Sequence, residues 1–147
     1  MKRSAAGYTP SVTKIGVLAV TVAAALLAGC SRGDLRNLAK ETEAAVRDAG
    51  AALDELAGEA QGPLRDAASR ALDAAQEARH ASEEFRKNPT TETRQALRRA
   101  KQRLDDVSRE LEGLLDHAPE GVRSALGHAL DSLTELRHRI QRELDSS

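Results

Sequence analysis

Tryptophan is absent from this 147-residue chain, and tyrosine and phenylalanine occur once each, as Tyr8 and Phe85. Without aromatic faces a protein has no platform on which nucleic-acid bases stack. Glycan recognition by the same device is equally disfavoured. Cysteine is nearly missing too. Cys30 stands alone, so no internal disulfide forms. A strong charge of either sign is also lacking, because the formal net charge is −1. Lys2, Arg3 and Lys14 precede Cys30 and no acid does, so the chain from Cys30 onward carries −4. A weakly acidic domain lacks the basic surplus of a dedicated nucleic-acid binder. No stretch alternates with the period of a strand. No glycine-rich phosphate loop, Cys/His cluster or nucleophile motif is present. The chain is therefore read as non-enzymatic, without a metal or cofactor.

What is there begins with an uneven N-terminus. Residues Met1 to Lys14 are polar and hold three cations, whereas Ile15 to Ala28 are uncharged and apolar apart from Thr21. An apolar run of about 14 residues has the length of a signal-peptide core. A membrane-spanning helix needs about 20. The absence of an Arg-Arg pair before Cys30 points to the general secretory route. The run closes on Leu27-Ala28-Gly29-Cys30. These four residues resemble the lipobox of bacterial lipoproteins, and the resemblance covers the first 30 residues only. It implies that the Cys30 thiol receives a diacylglyceryl group. Cleavage then falls between Gly29 and Cys30, and the new amino group is often acylated. In that family an Asp after the cysteine favours the inner membrane. Ser31 stands there instead, which implies the outer membrane, periplasmic side, in a cell with two membranes. The expected organisation is a signal peptide over 1–29, a lipidated N-terminus and short tether over 30–33, and a helical domain over 34–147.

Beyond the tether the apolar residues recur at steps of three and four, the helical period. Asp34 is expected to be an N-cap. Leu35, Leu38, Thr42, Ala45, Ala49, Ala52 and Leu56 form a first stripe. Gly62-Pro63 breaks it, and Pro63 suits the first turn of a new helix. Leu64, Ala68, Ala71, Ala75, Ala78, Ser82 and Phe85 form the second stripe, ended by Asn88-Pro89-Thr90-Thr91. The third runs Leu97, Ala100, Leu104, Val107, Leu111, Leu114, Ala118, and the fourth Val122, Leu126, Ala129, Leu133, Leu136, Ile140, Leu144. The expectation is an all-α domain, either a four-helix bundle or two packed helical hairpins. A shift of 58 places Ala71-Leu72-Asp73 on Ala129-Leu130-Asp131 and Glu77, Arg79 and His80 on Glu135, Arg137 and His138. This matching points to an internally duplicated hairpin. Its halves differ in core quality, with eight large apolar residues in 34–88 against thirteen in 89–147. The first hairpin is expected to be the less stable, since burial contributes roughly 25 cal/mol per Å² and alanine offers little area.

Two Glu-x-x-His motifs, Glu77-Ala-Arg-His80 and Glu135-Leu-Arg-His138, fall on the second and fourth stripes. On paper they resemble ferritin-like di-iron sites, whose ligands project into the bundle core. Helix phase opposes that reading. At about 100° per residue, Glu77 lies at about −140° and His80 at about 160° from the stripe centred on Leu64. Glu135 and His138 take the same angles from Val122. Both motifs are expected on the outer face, and His117 and His128 on the surface. Arg86, Lys87, Arg94, Arg98, Arg99, Lys101 and Arg103 make a basic stretch around the second break. It reads either as a patch for phosphates or an acidic partner or as a solvated face with helix pairs such as Lys101–Asp105.

The functional expectation is a cell-envelope lipoprotein held to a membrane by its lipid anchor. Its helices serve a structural or interaction role, toward another envelope protein or a second copy, through bundling or coiled-coil pairing. An alternative is an amphipathic-helix lipid binder, and a further one is a regulator or inhibitor of an envelope enzyme.

Overall fold

A computed structural model describes residues 32–146. The expected signal peptide over 1–29, the Leu27-Ala28-Gly29-Cys30 sequence and Ser31 lie outside the described residues. Four helices follow one another: α1 (Arg32–Glu59), α2 (Pro63–Lys87), α3 (Thr91–Leu115) and α4 (Glu120–Asp145). Each is about 40 Å long at 1.5 Å per residue. No strand occurs among the described residues.

The breaks have local causes. Before α2, Gly62 takes φ 59°, a left-handed conformation that glycine enters without a Cβ clash. Pro63 follows at the first helical position, where its missing N–H costs nothing. At α3 a reciprocal capping box closes the N-terminus. The Thr93 N–H donates to Thr90 Oγ1 at 3.2 Å and the Thr90 N–H donates to Thr93 Oγ1 at 2.9 Å. Pro119 precedes α4, and its carbonyl accepts from the Val122 N–H at 2.9 Å.

One boundary departs from expectation. Helix α1 already includes Arg32 and Gly33, so Asp34 sits in its first turn rather than at its N-cap. Two of the residues expected in the tether are thus helical. The acid lies close to the positive end of the helix dipole, and this contribution, about 0.3–1 kcal/mol, helps offset the glycine inside the helix.

Connections of three or four residues force neighbouring helices antiparallel. Helix α1 packs on α2 and α4, and α3 also packs on α2 and α4. The two hairpins therefore close into a single four-helix bundle. Across the diagonals, α2 and α4 touch while α1 and α3 do not. Side-chain size accounts for the difference. The inward face of α2 holds Ala67, Ala68, Ala71, Ala74, Ala75 and Ala78. That of α4 presents Leu126, Leu133, Leu136 and Ile140. Alanine lets the α2 backbone come close, and the longer α4 side chains fill the space across the centre.

All seven residues of the expected second stripe are buried, as are all seven of the fourth. The third holds except for Leu114, which is half-buried. In the first, Leu38 and Ala52 are half-buried and the Leu35 side chain lies outside the described residues, whereas Val46, Leu53 and Ala60, outside the stripe, are buried. The 58-residue shift relates the buried sets as well. Of the nine buried α2 residues, all but Ala74 land on a buried residue of α4.

Candidate functional site

The N-terminus of α1, the C-terminus of α2, the turn at 88–90 and the C-terminus of α4 share one end of the bundle, as the antiparallel order requires. Here the apolar core thins out. On α1, Leu38 and Ala39 are only half-buried, and on α3 the first buried residue is Leu97, in the second turn. A cavity of about 790 Å³ opens at this end. Leu38, Ala39, Phe85 and Pro89 supply its apolar wall. Arg36, Arg86, Lys87 and Arg94 supply its cations. Three acids, Glu43, Glu83 and Glu143, also border it.

Most of these charges are held in place. Glu143 is 4% exposed, on the core side of α4. Its carboxylate accepts a 2.5 Å hydrogen bond from Ser82 Oγ, itself fully buried on α2. Arg86 lies beside the same carboxylate, 3.9 Å from Oε1, and its Nε–H donates to the Ser82 carbonyl at 3.2 Å. A buried carboxylate is tolerated only with such partners, because desolvating an isolated charge is costly. The Arg94 guanidinium lies 5.8 Å from the centre of the Phe85 ring, a cation–π distance. Glu83 accepts from Arg79 at 3.0 Å, and this bond holds its carboxyl below the ordinary glutamate value.

The motifs singled out in the sequence do not converge here. Glu77, His80, Glu135 and His138 are all exposed, as their helix phase requires. Glu77 accepts from Arg103 at 2.5 Å, and Glu135 from Arg139 at 2.6 Å. His117 and His128 are exposed as well. Among the described residues no three His, Cys, Asp or Glu side chains gather to hold a metal ion. The basic stretch is split by pairing. Arg86 and Arg94 turn to the cavity, Lys101 donates to Asp105 at 3.2 Å, and Arg103 goes to Glu77. Asp105 also binds Arg137, which ties α3 to α4. Cys30, expected to carry the lipid, and Leu27, Ala28 and Gly29, expected to complete the lipobox before it, lie outside the described residues, two positions and more before Arg32.

Sequence reasoning missed Glu143, Ser82's partner. A signal existed. Glu143 is seven residues after Leu136 and three after Ile140, so the period places it on the apolar face. It is also the 58-shift counterpart of Phe85, and both border the cavity.

Among the described residues no helix is long and apolar enough to cross a membrane. Comparison with protein-family models, curated proteins and solved structures finds no match to this chain.

Proposed function

We propose that this chain is a lipid-anchored lipoprotein of a bacterial cell envelope, whose helical bundle serves as a structural or protein-interaction module. One observation carries the reading. The single cysteine closes an uncharged apolar run, within Leu27-Ala28-Gly29-Cys30, and a folded domain follows almost at once. Each acyl CH₂ buried in a bilayer contributes about 0.8 kcal/mol, so two or three chains hold such a domain firmly. With Ser31 after the cysteine, the outer membrane is the destination in a cell with two membranes.

The packing weighs among the alternatives. The apolar stripes meet one another inside one closed bundle. An amphipathic-helix lipid binder, or a coiled coil between copies, would have to open that core to use them. An envelope partner instead meets the polar outer surface. We also read the two hairpins as a duplicated unit, on the match between their buried positions at a shift of 58.

The test is fatty-acid labelling with membrane fractionation of the full chain and its Cys30→Ser variant. The wild type is expected to take up label and sediment with membranes, and the variant to lose the label. Label retained in Cys30→Ser contradicts the reading.

A further inference from the structure

We propose that the cavity at the α1 N-terminal end of the bundle receives one acyl chain of an anionic bilayer phospholipid. Three features of the cavity and its position argue for this occupant. The volume, about 790 Å³, falls in the 300–1,000 Å³ range of small-ligand pockets. The wall matches a chain of methylenes. Phe85 is buried beneath it, and Leu38, Ala39 and Pro89 complete an apolar lining.

Charge orders the second feature. The deepest acid, Glu143, is already held by Ser82 Oγ and flanked by Arg86, which leaves it poorly suited to draw in a cation. Glu83 is likewise engaged by Arg79. Glu43 is the one exposed acid left at the cavity, and Lys87 lies 3.6 Å from Glu84. Arg36, Lys87 and Arg94 outnumber Glu43 at the border of the apolar lining, where a phosphate would sit once its acyl chain had entered. An apolar interior under a cationic margin fits an anionic amphiphile and fits neither a sugar nor a free inorganic anion.

The third feature is position. Helix α1 begins at Arg32, two residues after Cys30, a reach of about 7 Å. On the lipoprotein reading, on which the delivery of lipid rests, the end of the bundle that holds the cavity lies next to the bilayer that anchors the chain. The opposite end of the bundle carries the turns at 60–62 and 116–119 and lies a helix length away.

The experiment uses the full chain in phosphatidylcholine vesicles doped with a phosphatidylglycerol that carries a photoactivatable group near the acyl terminus. After illumination, labelled peptides are mapped by mass spectrometry. Labels are expected to concentrate on the segments from Arg36 to Ala39 and from Phe85 to Arg94. Ala39→Trp, which fills the cavity, and Arg36→Glu, which reverses one marginal charge, should each cut that labelling about tenfold, the loss that 1.4 kcal/mol produces. Labels scattered over exposed helix faces, or unchanged by Ala39→Trp, overturn the proposal. Equal labelling by a phosphatidylcholine probe overturns the anionic preference. A Cys30→Ser arm separates the source of the chain. Cavity labelling that appears only in Cys30→Ser shows the site filled by the protein's own Cys30-linked acyl group, and overturns the bilayer source. The Cys30 peptide in the same digest reports on the anchor separately. An unmodified Cys30 together with a labelled cavity refutes the lipoprotein reading and leaves the lipid site standing.

Discussion

Replacing Ser82 by alanine tests whether the Ser82–Glu143 bond organises the end of the bundle. Both residues occupy core positions, Ser82 fully buried and Glu143 4% exposed, and they link α2 to α4 across the short diagonal. Ser82→Ala removes one hydrogen bond to a buried carboxylate while Arg86 stays nearby. A hydrogen bond to a charged group contributes about 1.5–3 kcal/mol, so the expected loss is about 2 kcal/mol. In a domain of this size that lowers Tm by roughly 8 °C. Glu143→Leu removes the charge itself and continues the apolar stripe beside Ile140 and Leu144. Glu143→Leu also leaves the buried Ser82 hydroxyl without its acceptor, and an unpaired buried donor costs about 1–3 kcal/mol. A moderate fall in Tm is therefore expected from Glu143→Leu, and adding Ser82→Ala, which removes the orphaned hydroxyl, should cost nothing further or recover part of the loss. Thermal unfolding of the four proteins, followed by far-ultraviolet circular dichroism, yields the coupling between the sites. Strict additivity, with Ser82→Ala costing as much in the Glu143→Leu background as in the wild type, would refute the reasoning.

Three further outcomes follow from the packing. The Thr42 hydroxyl is buried without a hydrogen-bond partner among the described residues. Thr42→Val keeps the shape and removes that desolvated group, so the midpoint of urea unfolding should rise, corresponding to about 1 kcal/mol of added stability. Ala75 is 1% exposed on the alanine face that lets α2 approach α4, and Ala75→Leu should overfill the centre and cost about 1–3 kcal/mol, read by the same titration. Hydrogen exchange should show faster opening of α1 and α2 than of α3 and α4, because the first hairpin buries more alanine and fewer large side chains. Uniform protection across the four helices contradicts that expectation.

Much of this architecture is legible in the residues. Period places all seven stripe residues of α2 and of α4 inward, omitting only Ala67, Ala74, Ala125 and Glu143, and Gly62-Pro63, Asn88 to Thr91 and Pro119 mark the turns. Helix α1 is read less well because alanines on both sides of its seam leave the phase open. The buried row runs Thr42, Val46, Ala49, Leu53, Leu56 and Ala60, with Ala45 beside it, whereas the expected stripe took Ala45 and Ala52 where Val46 and Leu53 belong. The phase of the two Glu-x-x-His motifs is sufficient to place them outside. The cavity is different in kind. It arises where four helix ends meet and the apolar residues run out, and Ser82 reaches Glu143 over 61 positions of sequence. No local pattern reports a distance of that sort. A glutamate also looks like surface until its register is compared with Leu136 and Ile140.

The account stands on what happens at Cys30. The most direct measurement is tandem mass spectrometry of the N-terminal peptide from protein extracted out of membranes of the producing cell. The account predicts a peptide that begins at Cys30 and carries a diacylglyceryl thioether on its sulfur. A peptide that continues unbroken through Gly29–Cys30 with a free thiol would contradict it.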